Sequence, residues 1–197
     1  MKANQKLRTL YTIAVIVLVM GAGACNSEQK TSGENETTAE AVAETPKPHV
    51  DIHSAALMGD VQSIQQHIAH GSDLNAKDAY GSTPLVVATV FDKREVVSVL
   101  LEGGADINAT NAEGSTPLHV ASFLCREEIV EMLLDHNADR SIRNQYGSTA
   151  LESVQVPFIH VEAAYVQFGK GLEALGLELD IDRIEQTRPV IVEMLQK

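Results

Sequence analysis

Gly81-Ser82-Thr83-Pro84-Leu85 recurs as Gly114-Ser115-Thr116-Pro117-Leu118 and again as Gly147-Ser148-Thr149-Ala150-Leu151, each copy 33 residues after the last. A second motif keeps the same step: Asp73-Leu74-Asn75 returns as Asp106-Ile107-Asn108 and, more weakly, as Asp139-Arg140-Ser141. Two unrelated motifs sharing one phase mark an internal repeat, and a period of this length belongs to arrays of stacked supersecondary units.

The physics of each position fixes the unit. Thr before Pro suits a helix start, because the hydroxyl caps a free backbone N–H and a first-turn Pro needs no donor. Short helices are therefore predicted from Pro84 and Pro117, with Leu85 and Ala88, then Leu118 and Ala121, on one face. A second helix follows each, carrying Val96, Val97, Leu100 and Leu101, then Ile129, Val130, Leu133 and Leu134 at helical spacing. Gly103-Gly104 ends the first of these in left-handed geometry, and Asn137 takes that place in the next. Each unit reads as helix, turn, helix and a protruding turn such as Asn75 to Gly81.

These residues resemble the ankyrin repeat, whose signature runs Gly-x-Thr-Pro-Leu-His-x-Ala with Gly-Ala-Asp-x-Asn at the far end; Gly104-Ala105-Asp106-Ile107-Asn108 is the best copy of the second motif. The resemblance implies an all-α ankyrin repeat solenoid of about four helix-pair repeats, near 49–78, 79–111, 112–144 and 145–197. The first unit lacks the Gly-x-Thr-Pro turn and reads as an N-terminal cap. His53 and His119 occupy the family's His position, where the ring ties turn to helix start; Val86 replaces it in the middle unit. The last unit is interrupted. Thr116 to Arg126 is a step of 10 residues, whereas Thr149 to the matching Arg188 is 39, so about 29 residues are inserted, near 156–187. They carry Val161, Tyr165, Phe168 and Leu172 at helical spacing. One or two extra helices across the open end of the stack are expected, serving either as a cap or as a private partner-binding element.

The remaining bounds come from composition and the N-terminus. The 197-residue chain is 44% hydrophobic, 4% aromatic and lacks Trp, which favours Ala, Leu and Val helices over a sheet sandwich. Residues 1–24 read as an export signal: Lys2, Lys6 and Arg8, an apolar run from Leu10 to Met20, then small residues up to Cys25. The uncharged stretch is shorter than the roughly 20 residues of a spanning helix. Gly21-Ala22-Gly23-Ala24-Cys25 resembles a bacterial lipoprotein lipobox, which implies lipid attachment at Cys25; the alternative is an ordinary Ala-x-Ala cleavage site with Cys25 incidental. Residues 25–48 are rich in Glu, Thr, Ala and Ser and read as a flexible linker holding the 49–197 domain away from lipid. Removing the signal leaves 12 basic against 27 acidic residues, a net charge of −15, which makes nucleic acid and anionic lipid poor partners. Cys125 is then the only thiol in the folded region, so packing must supply the stability.

Candidates for chemistry are few. His49 with His53, and His67 with His70, have spacings for a shared helical face but no carboxylate or Cys to complete a metal site; His67 and His70 are expected on the solvated side of a second helix. Cys125 beside Arg126 is a candidate for a lowered thiol pKa, but the expected reading is a buried or bystander thiol. No phosphate loop, nucleophile elbow or His-Glu-x-x-His motif occurs. The expectation is a non-enzymatic, monomeric protein without cofactor or metal.

Binding is the better supported class. The tips offer Lys77, Ala79, Tyr80, Ala112, Glu113, Gln145 and Tyr146. The first-helix ends offer Leu57 and Met58, Val90 and Phe91, then Phe123 and Leu124. The ankyrin resemblance implies that tips and first-helix ends line a concave side; if each pair projects alike, they form an apolar ladder there with Lys77, Tyr80, Glu113 and Tyr146 beside it, suited to a protein partner on the order of 800 Å² per side. The competing reading packs half of these side chains between repeats. The functional expectation is an envelope-anchored, periplasm-facing adaptor that captures a protein, either a periplasmic enzyme or a toxin. The alternative is a secreted or surface-displayed effector or adhesin contacting host proteins.

Overall fold

The computed structural model describes residues 48–197. The signal (1–24), the lipid-attachment candidate Cys25 and all of the linker but Pro48 lie outside the described residues. Four helix pairs follow: α1 (Ile52–Met58) with α2 (Val61–His70), α3 (Pro84–Val90) with α4 (Arg94–Glu102), α5 (Pro117–Phe123) with α6 (Glu127–Asp135), and α7 (Ala150–Gln155) with α9 (Ile181–Gln196). One further helix, α8 (Glu162–Leu172), lies between α7 and α9, flanked by 3-10 turns at Phe158–His160 and Glu173–Leu175. No strand occurs among the described residues. The first helices α1, α3, α5 and α7 pack in series, as do the second helices α2, α4, α6 and α9, so the fold is a two-layer all-α stack.

The helix starts follow from the sequence. Thr83, Thr116 and Thr149 are extended, and their hydroxyls accept the backbone N–H of Val86, His119 and Glu152. Asp51 does the same for α1, accepting from His53 and Ser54 at 3.0 and 3.1 Å. Once started, each first helix buries a small Ala (Ala55, Ala88, Ala121, Ala150), which lets the next backbone approach. Leu85 and Leu118 fill the space beside them. The turn between paired helices passes through a left-handed residue at one repeat position: Gly59, then Asp92 and Cys125 at φ 54° and 53°. Outside Gly such a conformation costs about 1–2 kcal/mol, so the stack imposes it on those two residues.

The second motif explains itself in the same terms. Asn75 Oδ1 accepts the backbone N–H of Asp106 at 2.8 Å, and Asn108 Oδ1 accepts that of Asp139 at 2.9 Å. Each Asn thus fixes the height of the next unit. Ser141 stands where the third Asn would be, and no such bond is needed beyond it because the repeat sequence has ended.

The interruption departs from expectation in its C-terminal boundary. The connection between α7 and α9 spans residues 156–180, because α9 begins at Ile181 under an Asp180 cap; the expected boundary of 187 falls two turns inside that helix. The inserted helix packs against α9 of the fourth pair and also reaches back to Phe123 of the third. Tyr165 of α8 stacks on Phe123 with ring centroids 4.3 Å apart and 17° between planes, and Phe168 meets Phe123 edge-on at 6.4 Å. The Tyr165 hydroxyl donates to the Phe123 carbonyl at 2.7 Å. Arg188 of α9 donates to the Tyr165 hydroxyl at 2.6 Å, to the Val154 carbonyl at 2.6 Å and to the Val156 carbonyl. This buried guanidinium therefore ties the end of α7, the insertion and α9 together, with helix-terminal carbonyls taking the place of a carboxylate.

Tyr165→Phe removes a fully buried hydroxyl that both donates and accepts, leaving two polar partners unsatisfied. The expected loss is about 1–3 kcal/mol, read as a lower urea midpoint with an unchanged slope.

Candidate partner-binding surface

Two surfaces arise from the repeat geometry, one at the protruding tips and one at the turns between paired helices. The tips are held by residues the sequence reading passed over. Asp78 Oδ1 accepts the N–H of Tyr80 and of Ser82, both at 2.8 Å. Asn111 Oδ1 does so for Glu113 and Ser115 at 3.0 and 2.9 Å, and Asn144 Oδ1 for Tyr146 and Ser148 at 3.0 and 3.2 Å. The signal was present as Asp or Asn two residues before each tip position, in the same phase as the repeat. Tyr80, Glu113 and Tyr146 therefore stand at equivalent places on successive tips. Lys77 and Tyr80 are exposed, Glu113 and Tyr146 half-buried.

Adjacent tips touch. A Cβ on Gly81, whose φ is +72°, would lie 3.0 Å from the backbone N and the Cβ of Ala112, so close approach as well as conformation demands Gly there. Gln145 donates its backbone N–H to the Glu113 carbonyl at 2.9 Å and its side-chain amide to the Ala112 carbonyl at 2.7 Å. Beneath the tips, His119 joins turn to helix as expected of its position. Its Nδ1 accepts the Thr116 N–H at 3.3 Å, so the proton sits on Nε2, which donates to the Ser148 carbonyl at 3.0 Å. Burial holds this imidazole below its ordinary pKa, in the neutral form the geometry requires. His53 likewise reaches the Ala76 carbonyl, at 2.9 Å. Val86 makes no such bond and is instead buried apolar packing.

The second surface corrects the expected ladder. Leu124 is 1% exposed and belongs to the core, so it offers nothing to a partner. Phe123 is covered by Tyr165 and Phe168, while Phe91 is half-buried and packs against the core. Val90 is half-buried too, its carbonyl accepting from Arg126 at 3.2 Å. Only the N-terminal part of the ladder stays open: Met58 is 57% exposed, and a groove of about 460 Å³ runs between Leu57, Met58 and Phe91 on one side and Leu175 and Leu177 of the insertion on the other. The insertion thus both occupies one half of the ladder and walls the other. Along the rim, Arg94 pairs with Asp92 at 3.2 Å and with Glu128 at 2.8 Å, bridging the second and third repeats.

Cys125 takes the bystander reading: it is fully buried, and burial pushes its thiol up to about 11 despite the lowering influence of Arg188, Arg183 and Arg126. His67 is buried, where a solvated position was expected; its ring bonds the Val50 carbonyl at 2.7 Å and Ser72 Oγ at 3.0 Å, fastening the chain's entry to α2. Among the described residues no three His, Cys, Asp or Glu side chains gather in a way that holds a metal ion, and no helix is long and apolar enough to cross a membrane.

Short helix pairs stacked in two layers, with ordered tips projecting from one edge, define a repeat-built interaction scaffold. Residues 52–151 match the family described as ankyrin repeats, in three copies, and the chain belongs to that family. No curated protein sequence matches the chain. The ankyrin repeat is a protein–protein interaction module and typically a non-catalytic one.

With Cys25 replaced by Ser, Cys125 should resist a thiol reagent at pH 8, because the neutral form dominates well below a pKa of about 11 and the group is buried. Full reaction is expected only after denaturant is added; prompt labelling of the folded protein contradicts the buried assignment.

Proposed function

We propose that the protein is a non-catalytic adaptor of the bacterial envelope, held by a lipid on Cys25, which captures a protein partner such as a periplasmic enzyme or a toxin. The observation that carries the binding part is the tip row, in which Tyr80, Glu113 and Tyr146 are each fixed by a side-chain-capped turn. Residues carried on backbone that is already ordered at a solvent edge cost less ordering on binding, and Tyr is well suited to contact surfaces. The open groove beside Met58 supplies a second contact at the turns of the first two repeats, apolar at Leu57, Met58 and Phe91 and charged at Asp92, Lys93 and Glu178. Anchoring is supported by the Gly-Ala-Gly-Ala-Cys sequence and by the 26–48 stretch that follows it, which gives a domain reach from a lipid surface.

Affinity capture from envelope extract tests the binding part. Met58→Asp and Tyr80→Asp alter two exposed side chains, so melting should stay within experimental error of the parent while partner recovery falls at least tenfold. Recovery equal to the parent in both variants places the contact elsewhere. The anchoring part has its own test: Cys25→Ser should move the protein from the membrane fraction to the soluble fraction, and unchanged membrane retention removes the lipid from the proposal.

A further inference from the structure

At the middle of the tip row sits a carboxylate whose surroundings do nothing to stabilise it. Glu113 is half-buried, and burial alone raises its pKa; no hydrogen bond or cation acts on the carboxyl among the described residues. Its charge is felt by Tyr146 on the next tip, where it adds to burial in holding the phenol above its ordinary value. The cations nearby in sequence are otherwise placed. Arg143 is committed to Glu152 at 2.5 and 3.1 Å and to the Gly147 carbonyl at 2.6 Å. Lys77 is exposed on the first tip and forms no ion pair among the described residues.

A partly desolvated, unpaired carboxylate costs stability. Its place in the repeat gives that cost a use. Position 113 falls between Tyr80 and Tyr146 in the 33-residue register, with the tips locked together by the Gln145 bonds to Ala112 and Glu113. A flat cation entering the row would donate two hydrogen bonds to the carboxylate and lay its face on a tyrosine ring. A guanidinium has that planar fork; an ammonium does not.

We propose that the Tyr80–Glu113–Tyr146 row receives an arginine side chain presented by a basic segment of the partner protein. The inference rests on the protein-binding reading and adds the chemistry of what is bound. The overall balance agrees with it: a chain of formal charge −12 draws a basic segment toward it and repels an acidic one. The −12 acts at long range and gives no orientation, whereas the two tyrosines and one carboxylate select a shape.

The probe is a dye-labelled acetyl-Gly-Arg-Gly-Arg-Gly-amide peptide, titrated into the full-length protein at low salt and followed by anisotropy, with the lysine analogue alongside. Saturable binding is expected, weaker for lysine. Glu113→Gln should weaken it about tenfold or more, the loss expected when a charged hydrogen-bond acceptor is removed. Tyr80→Leu and Tyr146→Leu should each weaken it about threefold. Glu131→Gln, an exposed carboxylate on α6, should leave it unchanged. Equal binding by the parent and Glu113→Gln, an equal loss in Glu131→Gln, or no effect of Tyr80→Leu overturns the proposal in favour of unselective attraction to an acidic surface. Partner capture separates the two levels. A parent protein that captures its partner while Glu113→Gln captures it equally well overturns the arginine site and leaves the protein-binding reading standing. A parent that captures nothing removes that reading.

Discussion

A helix of six or seven residues does not persist alone in water, because the first turn fixes several residues for a single hydrogen bond. Every first helix of this protein is of that length. Each therefore exists only while its apolar face is covered by the helix before and the helix after. That constraint accounts for the strictness of the repeat. A neighbour must arrive at one height and one angle, so the caps (Thr83, Thr116, Thr149), the small inner-face alanines and the Asn75 and Asn108 struts recur at one spacing. It also explains why Asp92 and Cys125 accept a left-handed backbone: the turn between paired helices is set by the layers on both sides, and the residue in it yields.

The fourth pair shows what happens when that turn is opened. In the first three pairs a few residues join the helices; in the fourth the chain leaves after Gln155 and returns at Ile181. The ends of α7 are then no longer held by a tight turn. Arg188 supplies the missing hold by binding the Val154 and Val156 carbonyls, and it draws in the Tyr165 hydroxyl with the same guanidinium. A cation is suited to this role because several helix-terminal carbonyls point the same way. The inserted helix pays its way structurally by covering Phe123, and the same placement decides which part of the turn edge remains accessible.

The tip row and the turn edge are consequences of the same register but differ in what fills them. Tips hold their own capped turns and touch their neighbours but fill no space between helices, and Tyr80, Glu113 and Tyr146 differ in chemistry from one unit to the next. Positions at the ends of the first helices sit close to the packed layers. One residue's difference in phase there separates Phe123, which a partner helix of the same chain covers, from Leu124, which is core.

The sequence by itself determined the period, the helix starts, the all-α stack and the tip positions. These depend on local rules: Thr-Pro caps a helix, Asn or Gly accepts a left-handed turn, and an apolar pattern at helical spacing buries one face. Even the presence of an insertion followed from a broken interval between Thr149 and Arg188. Only the tertiary structure decided where that insertion lies, because its direction depends on which uncovered ring, Phe123, its own Tyr165 meets, and no local rule encodes a contact across 42 residues. Tertiary burial likewise chose the bystander reading of Cys125 over the activated one, and it reversed the reading of His67, whose neighbours in sequence suggested solvent while its neighbours in space exclude water.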